Sequence, residues 1–292
     1  MKRWLILDVH NLCWRCWHVN THLSFKGQST SVVFLFFKSL SYLKDELASD
    51  RVAFCFDHPY AARRKFFPAY KANRRKQELT KDEAQVRSDM SRQIAKLRLH
   101  WLPMVGFKNI FYREGMEADD LMASLALNLS KEDEAVLITS DADLWQCLRS
   151  NVSVYDPGRR RLLTRDSFKR DRGYSPKHWA MVKALCGCHT DNVPGIPGIG
   201  EITAEKYILE TLGKKTAAWI RIHSYEGQEI IRRNQRLTTL PLEGCPDISR
   251  RLVEDEVDEK AWRQACIELG FRSMAAHPPI ATKKLRQMEL NV

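Results

Sequence analysis

Short apolar runs alternate with amphipathic stretches along the first half of the chain. The apolar runs have the length and residue types of buried strands, and the stretches between them repeat apolar residues at helical spacing. The predicted strands are Trp4 to Leu7, Val52 to Phe56, Asn109 to Tyr112, Ala135 to Thr139 and Val152 to Tyr155, and the predicted helices include Ser31 to Ala48 and Asp119 to Leu129. Strands that alternate with helices predict an α/β fold with a mostly parallel central sheet flanked by helices.

The pattern changes after about Ser175, where the chain becomes helical and a cluster of glycines and prolines, Val193 to Gly200, interrupts the helices. We therefore predict an α/β core over residues 1–175, a helical region over residues 176–277 and a tail over residues 278–292. With 292 residues, of which 44% are hydrophobic, the chain is long enough to bury a sizeable core.

One segment departs from the alternation of strands and helices. Between Tyr70 and Gln93 large apolar residues are rare, and from Arg63 to Arg98 there are 12 Lys or Arg residues against 4 Asp or Glu. Such a segment is not expected to form core. It is either a solvated helical excursion or a mobile cover over the edge of the sheet.

The charge of the chain bears on its partner. The formal net charge of +11 fits a polyanion such as nucleic acid, although a merely basic protein is the alternative on charge alone. We find no membrane span or signal peptide in the sequence and expect a cytoplasmic protein. The eight cysteines agree with a reducing compartment. A zinc site formed by Cys13, Cys16, Cys186, Cys188 and His189 is a less favoured alternative.

Acidic residues gather at the ends of predicted strands and at the start of a predicted helix. They are Asp8, Asp57, Glu117, Asp119, Asp120, Asp141 and Asp143. Singly, each has a structural interpretation as a helix cap or turn residue. Together they repel, since two like charges about 4 Å apart cost roughly 4 kcal/mol at an effective dielectric near 20. The cluster therefore predicts a bound cation, and oxygen ligands favour Mg²⁺ or Mn²⁺.

Six motifs occur in a fixed order along the chain. They are LDVHNL, FDHP, AYKANRR, EADDL (Glu117 to Leu121), TSDADL (Thr139 to Leu144) and TDNVPGIPGIGEITAEKY (Thr190 to Tyr207). In this order they resemble the motifs of the flap endonuclease and 5′ nuclease family. That family includes the nuclease domain of bacterial DNA polymerase I, bacteriophage 5′ nucleases and eukaryotic flap endonucleases. The resemblance implies a helical arch at about residues 66–100 and a DNA-binding helix-hairpin-helix at about residues 186–210. It also implies a stand-alone member of the bacteriophage type.

The resemblance implies two divalent metal ions, Mg²⁺ or Mn²⁺. The implied ligands of the first ion are Asp8, Asp57, Glu117 and Asp119, with Asp120 and Asp141 acting partly through water. The second ion is implied to bind Asp141, Asp143 and Asp191, together with an acid at the position that Cys188 occupies here. Because a neutral thiol is a poor ligand for Mg²⁺, we expect a weakened second site.

The resemblance also implies the residues that contact DNA. Lys71 and Arg74, at the foot of the arch, would reach the scissile phosphate and, with Asp141, are the implied catalytic residues. The other implied DNA contacts are Tyr70, which would stack on an unpaired base, Arg75, and the hairpin residues Gly195, Gly198, Ile199, Gly200, Thr203 and Lys206. A K⁺ ion would bridge the hairpin and the duplex. Because the arch lacks apolar anchors, we expect it to become ordered only with DNA.

The implied activity is that of a structure-specific 5′ nuclease. It would act as a flap endonuclease and 5′-3′ exonuclease, as a monomer, on DNA flaps, 5′ ends and nicked or gapped duplexes during replication or repair. Two alternatives remain open. One is a catalytically weakened structure-specific DNA-binding protein of the same fold, with Cys188 as its first sign. The other is an RNA-cleaving nuclease built on a related metal-nuclease sheet.

Overall fold

A six-stranded sheet forms the centre of the fold. The computed structural model describes residues 2–19, 23–49, 51–76 and 80–279, with only the backbone at residues 17–19, 75 and 76. The strands are β1 (Arg3–Asp8), β2 (Ser24–Phe25), β3 (Gln28–Ser29), β4 (Arg51–Phe56), β5 (Ile110–Tyr112), β6 (Glu134–Ile138), β7 (Val152–Asp156), β8 (Arg161–Leu163), β9 (Gly187–Cys188) and β10 (Val193–Pro194). The sheet order is β5-β4-β1-β6-β7-β8, and every neighbouring pair is parallel except β7 and β8. The predicted mostly parallel sheet is confirmed.

Helices cover both faces of this sheet. They are α1 (Val9–Val19), α2 (Ser31–Leu47), α3 (Arg63–Phe66), α4 (Asn73–Lys76), α5 (Lys81–Lys96), α6 (Leu102–Val105), α7 (Ala118–Asn128), α8 (Arg165–Arg172), α9 (Trp179–Cys186), α10 (Glu201–Ile208), α11 (Ala217–His223), α12 (Tyr225–Thr238) and α13 (Glu259–Leu269). One turn of π-helix, Leu97–Trp101, joins α5 to α6. Short 3₁₀ turns occupy Ala142–Cys147, Pro176–His178, His189–Asp191, Ser249–Arg251 and Arg272–Met274. Within the described ranges, none of the helices has the length and apolar character to cross a bilayer.

The alternation of side chains along β1 defines two hydrophobic cores. Leu5 and Leu7 are buried on one face with residues of α1, α2, α5 and α13. Trp4 and Ile6 are buried on the other face with residues of α7 and α9. Because β1 is covered on both faces, its sequence is a continuous apolar run. The run ends at Asp8, at the carboxyl edge of the sheet.

The antiparallel strand β8 was not predicted from the sequence. It has only three residues and lies at the edge of the sheet, where Arg161 and Leu162 are exposed. An edge strand with exposed side chains lacks the apolar run that marks the central strands.

The second half of α5 belongs to the core. The helix begins at a capping box formed by Thr80 and Glu83, and its first residues are exposed. Met90 and Ile94, one turn apart, are buried against the face that carries α1 and α2. The expectation that the segment Tyr70 to Gln93 holds no core is therefore wrong. For this half of α5 the expected lack of apolar anchors is also wrong, because two residues at helical spacing suffice to anchor one face.

Gln93 connects α5 to the start of α2. Its side-chain oxygen accepts hydrogen bonds from the N–H groups of Val32 (3.1 Å) and Val33 (3.4 Å), and its side-chain nitrogen donates to the Ser29 hydroxyl (3.2 Å). The first N–H groups of a helix have no partner within that helix, so Gln93 satisfies two of them in α2. A buried polar side chain thus fixes the base of the predicted arch to the core.

The cysteines do not form the alternative zinc site. All eight are free thiols. Cys13 and Cys16 are buried on the α1 face of the sheet, whereas Cys186 packs on the opposite face. In the part of the chain that the structure describes, one group of three potential metal ligands is found, and it consists of Asp143, Cys188 and Asp191. The less favoured alternative, a zinc site that joins both groups of cysteines, is therefore excluded for the described residues.

We expect Gln93→Ala to lower the free energy of unfolding by about 1 to 3 kcal/mol, because it leaves buried N–H groups of α2 without a partner. Gln85→Ala, on the exposed first half of the same helix, is the matched control and should change stability by less than about 0.5 kcal/mol. Chemical denaturation followed by circular dichroism measures both. Equal effects of the two substitutions would contradict the anchoring role of Gln93.

Candidate active site

The carboxyl ends of three adjacent parallel strands, β4, β1 and β6, bring acidic side chains together. Asp57 follows β4, Asp8 ends β1, and Asp141 lies just beyond β6. Each also accepts a backbone N–H: Asp57 from Ala118 (2.8 Å), Asp8 from Asn11 (2.9 Å) and Asp141 from Asp143 (2.8 Å). These acids therefore cap local structure. A carboxylate has further lone pairs, so a cap can also be a metal ligand.

The central acids are costly to ionise together. Burial, followed by repulsion from a neighbouring aspartate, raises the pKa of Asp8 and that of Asp119 well above the usual value. Burial and then Asp141 raise the pKa of Asp143 to about 7. Oδ1 of Asp119 is buried and has no hydrogen-bond partner among the described residues. A buried acceptor without a donor, amid acids that repel one another, fits a divalent cation.

A second group of potential ligands lies beside Asp141. Single ligand atoms of Asp143, Cys188 and Asp191 lie within 4.8 Å of one another. The structure thus places Cys188 where the motif led us to expect it. Burial raises the pKa of its thiol, so the sulfur is neutral at pH 7, and it lies 3.1 Å from the Thr190 hydroxyl. This group offers a cation two carboxylates and a weak third ligand.

Lys183 adds a positive charge to the second group. Its Nζ lies 3.8 Å from Oδ1 of Asp143, and 16% of its side chain is exposed. Burial opposes the charge of the ammonium and is the largest single effect, but attraction to Asp143 together with smaller attractions to other neighbours outweighs it and raises the pKa of Lys183. Sequence analysis missed this residue, because a lysine within α9 belongs to none of the motifs and meets Asp143 only through the fold.

Asp120 is not placed to bind a metal. It is fully buried, and its two oxygens accept from the Arg63 guanidinium at 2.6 and 2.7 Å. The same oxygens accept from the N–H groups of Glu117 (3.1 Å) and Leu242 (2.8 Å). Because these donors occupy its acceptor positions, the prediction that Asp120 is a metal ligand is wrong.

Arg63 is the buried counter-ion that sequence analysis missed. Besides its pair with Asp120, it donates from Nε to the Leu237 carbonyl (2.8 Å) and from Nη1 to Glu117 (3.2 Å). Burial disfavours the charged guanidinium and is the largest single effect, yet attraction and hydrogen bonding to Asp120, together with Tyr70 and Glu117, outweigh it and raise the pKa of Arg63. In the sequence Arg63 opens a run of basic residues, and nothing there separates it from its solvated neighbours.

The foot of the predicted arch lies against Glu117 and Asp191. Nζ of Lys71 lies 2.6 Å from Glu117 and 3.7 Å from Asp191, and Arg74 lies 2.8 Å from Asp191. The backbone of Lys71 is left-handed (φ 52°), and its N–H donates to the Asp191 carbonyl at 2.8 Å. Such a conformation costs a non-glycine residue about 1 to 3 kcal/mol and indicates a functional position. Lys71 and Arg74 therefore lie at the acid cluster, and their contact with a scissile phosphate stays a prediction.

The side chain of Tyr70 is buried beside the site and contacts two of its acids. Only 3% of its surface is exposed, and its ring packs with Val193 and Leu237. Its hydroxyl lies 2.8 Å from Glu117 and 3.0 Å from Asp191. A buried ring cannot stack on a base, so that prediction is wrong, and Tyr70 orients two acids instead. The predicted contact by the Arg75 side chain lies outside the described residues.

The predicted hairpin lies between α9 and α10. At Gly195 a Cβ would lie 2.2 Å from the carbonyl carbon of Cys186, so this glycine permits close packing within the protein. Ile199 is buried in the core and cannot offer its side chain to DNA, contrary to the prediction. The open side of the hairpin presents Gly198, Gly200 and Lys206 as exposed residues and Thr203 as a half-buried one.

Comparison with known proteins agrees with this arrangement. Residues 3–173 match the family described as 5'-3' exonuclease, N-terminal resolvase-like domain. The chain is 34% identical to the thermostable DNA polymerase I of Thermus aquaticus over 212 residues, 71% of this chain and 24% of the polymerase. It is 33% identical to DNA polymerase I of Mycobacterium tuberculosis over 218 residues, 70% of this chain and 23% of the polymerase. This chain belongs to the 5′-3′ exonuclease family, and it matches less than a quarter of either polymerase's length.

Solved structures share the fold over nearly the whole chain. The bacteriophage T5 D15 protein, co-crystallised with metal ions, matches with a TM-score of 0.68 and 19% identity over 94% of this chain and 98% of that one. The catalytic core of Rad2 in complex with a DNA substrate matches with a TM-score of 0.56 and 15% identity over 92% and 87% of the two chains. Human GEN1 bound to Holliday junction DNA gives 0.53 and 16% over 92% and 68%.

We expect the neighbours Asp119 and Asp120 to respond oppositely to substitution. Mg²⁺ or Mn²⁺ should raise the melting temperature of the wild type over that in EDTA, because binding to the native state stabilises it. Asp119→Asn should remove most of this rise without destabilising the metal-free protein. Asp120→Asn should cost about 3 to 5 kcal/mol of stability, because it leaves Arg63 buried without its charge partner. Differential scanning calorimetry measures both, and a stable Asp120→Asn variant that has lost the metal response would make Asp120 a ligand after all.

We expect Cys188→Asp to tighten the second metal site, since a carboxylate replaces a neutral thiol. Mg²⁺ affinity should rise by about tenfold or more, the scale on which metal sites respond to changes around the ion. Cys188→Asn, which has the same shape without the charge, is the matched control and should give no such rise. Isothermal titration calorimetry with Mg²⁺ and with Mn²⁺ measures the affinities. Unchanged Mg²⁺ affinity in Cys188→Asp would remove Cys188 from the account of this site.

Proposed function

We propose that this protein is a structure-specific 5′ nuclease, a flap endonuclease and 5′-3′ exonuclease that hydrolyses DNA near single-strand/duplex junctions in replication or repair. The observation that carries this proposal is the convergence of acids on the carboxyl edge of a parallel sheet beside Lys71. Membership of the 5′-3′ exonuclease family supports the same activity. The T5 D15 flap endonuclease and the Rad2 core, which share the fold, were both crystallised with DNA.

We propose two Mg²⁺ or Mn²⁺ ions as cofactors. The first would be held by Asp8, Asp57, Glu117 and Asp119, and the second by Asp141, Asp143 and Asp191 with Cys188 as a weak neighbour. When bound, the ions would activate water and would stabilise the charge on two oxygens, the one that attacks the phosphorus atom and the one that leaves it. The donors fit this class of ion because all but Cys188 are oxygen atoms.

Lys71 and Arg74 would hold the substrate phosphate. In the structure they pair with Glu117 and Asp191. When those acids serve as metal ligands, both basic side chains become free to contact a phosphate in the same crevice. Their charges then oppose the negative charge that develops during hydrolysis, and Arg74 can bind in a bidentate manner. The Tyr70 hydroxyl keeps both acids in position.

The hairpin would bind the duplex part of the substrate. Its exposed glycines, Gly198 and Gly200, let backbone atoms approach phosphates, and Lys206 adds a charge one turn into α10. Such contacts recognise shape and carry no base information. We place a K⁺ ion at the carbonyls of this hairpin. The protein would act as a monomer in the cytoplasm, that of the host cell if the gene is viral.

Cleavage of a 5′-labelled DNA flap in Mg²⁺ and in Mn²⁺ tests the proposal. We expect cleavage near the junction, with a release of short 5′ products. Lys71→Ala should lower the single-turnover rate by about 10²- to 10³-fold, the effect of removing one group that stabilises developing charge. Lys108→Ala removes a lysine that pairs with Glu256 at the opposite edge of the sheet, and this control should leave the rate unchanged.

The same assay separates the alternatives. Binding of the flap without cleavage in either metal would favour a DNA-binding protein that has lost catalysis. Faster cleavage of an RNA flap than of a DNA flap of equal sequence would favour the RNA nuclease. A Lys71→Ala variant with the full wild-type rate would remove Lys71 from the proposed mechanism.

A further inference from the structure

A cluster of aromatic rings lies just beyond the carboxyl ends of β4 and β5. We call His58, Tyr60, Tyr112 and Arg98 the aromatic patch. The ring centre of His58 lies 5.5 Å from that of Tyr112 and 6.0 Å from that of Tyr60. The guanidinium carbon of Arg98 lies 3.6 Å from the centre of the Tyr112 ring. The patch thus joins the loop after β4, the end of β5 and the turn after α5.

The patch is exposed. Tyr60 is 73% exposed and Tyr112 is 39% exposed, and Leu99, next to Arg98, is 68% exposed. Aromatic rings gain much of their stabilisation from burial, and exposed rings that cluster, rather than lie scattered, mark interaction surfaces. Packing against the core does not explain the Tyr60 ring, because most of its surface is exposed.

Hydrogen bonds hold the His58 ring and the backbone of the loop that carries Tyr60. Nδ1 of His58 lies 3.2 Å from both the backbone N and the backbone O of Tyr60. The backbone N–H of His58 donates to the Met116 carbonyl at 3.0 Å. Arg98 lies in the π-helical turn Leu97–Trp101, an unusual element that is frequent at functional sites. A loop backbone that is already held in place loses less entropy when a ligand binds beside it.

The patch adjoins the acid cluster. Tyr112 pairs with Phe56 in the β4–β5 register, and Phe56 directly precedes Asp57. The next strand is β1, which ends at Asp8. Neighbouring strands lie about 4.8 Å apart, so two strand spacings, about 10 Å, separate the backbone of Tyr112 from that of Asp8. At a rise of about 3.4 Å per stacked nucleotide, this distance corresponds to about three nucleotides.

We propose that the aromatic patch binds an unpaired base of the DNA strand within about three nucleotides of the cleaved phosphate. Tyr60 supplies the stacking face, and Arg98, stacked on the Tyr112 ring, adds a positive charge to the patch for the phosphate backbone. Stacking suits an enzyme that recognises structure, because every base has a π face. This inference rests on the proposed nuclease function and adds to it a base-binding site outside the metal and phosphate ligands.

A cycle that pairs a protein change with a DNA change tests this site. Binding of flap DNA is measured by fluorescence anisotropy with Ca²⁺ in place of Mg²⁺, and a gel verifies that the DNA stays intact. The substrates carry one abasic position, placed in turn at each of the three nucleotides on either side of the junction. We expect one position at which loss of the base weakens wild-type binding about tenfold, and Tyr60→Ala should weaken binding of intact DNA by a similar factor. At that position the two changes combined should cost no more than either alone.

Control variants separate the loss of base stacking from other causes of weakened binding. Tyr60→Phe and Tyr112→Phe keep the rings and should bind as the wild type does. Tyr225→Ala removes a tyrosine that is 78% exposed at the start of α12 and should also bind normally. Thermal denaturation confirms that each variant is folded.

Two results would overturn the proposal that the aromatic patch binds a base. One is unchanged binding in Tyr60→Ala, and the other is losses that add to those of abasic DNA at every position. Failure of the nuclease proposal has a separate signature, since wild-type protein would then leave the flap uncut in Mg²⁺ and Mn²⁺. Because the binding cycle uses no cleavage, it tests the base site in either case.

Discussion

Mutual repulsion among the buried carboxylates at the carboxyl edge of the sheet is the constraint around which this structure is arranged. The parallel strands bring Asp8, Asp57 and Asp141 to one edge, where burial and the charge of Asp57 raise the pKa of Asp8. The protein offsets part of this cost with its own cations. Arg63 pairs with the acids on the core side, Lys71 enters from the arch, and Lys183 lies beside the second group. Each of these basic residues comes from a different element, so the fold and the charge balance depend on each other.

The foot of the arch links this charge balance to the substrate. Lys71 is held by a backbone hydrogen bond to Asp191 and by an ion pair to Glu117, and Tyr70 contacts the same two acids. The residues that neutralise the acids therefore occupy the position from which a phosphate would be contacted. Farther along, Gln93 fixes the other end of the arch to α2. Polar contacts anchor the Lys71 end, and Gln93 together with the buried Met90 and Ile94 anchors the other, whereas the first residues of α5 are exposed.

The sequence was sufficient for the parallel sheet and for the acids at its strand ends, because apolar runs and the residues that terminate them are local signals. It could not separate Asp119 from Asp120. Successive residues of a helix point about 100° apart, so one faces the acid cluster and the other faces Arg63, and only the packing of α7 decides which. Tyr70 and Ile199 were assigned to DNA for a similar reason, since burial is a tertiary property. Lys183 and Arg63 acquire their roles from partners that are distant in sequence.

We divide the acid cluster into two halves, the first around Asp8 and Asp119 and the second formed by Asp143, Cys188 and Asp191. The halves differ in how much negative charge the protein leaves uncompensated. In the second half Lys183 lies 3.8 Å from Asp143, and a neutral thiol replaces the acid that the motif leads one to expect at Cys188. In the first half, Asp8 and Asp119 are buried, and the cation that contributes most to both is the same one, Lys71. Oδ1 of Asp119 also lacks a donor among the described residues. Burial and Asp141 still raise the pKa of Asp143 to about 7, so the second half also retains a demand for a cation, but Lys183 and the neutral Cys188 make that demand smaller than a full set of acids would.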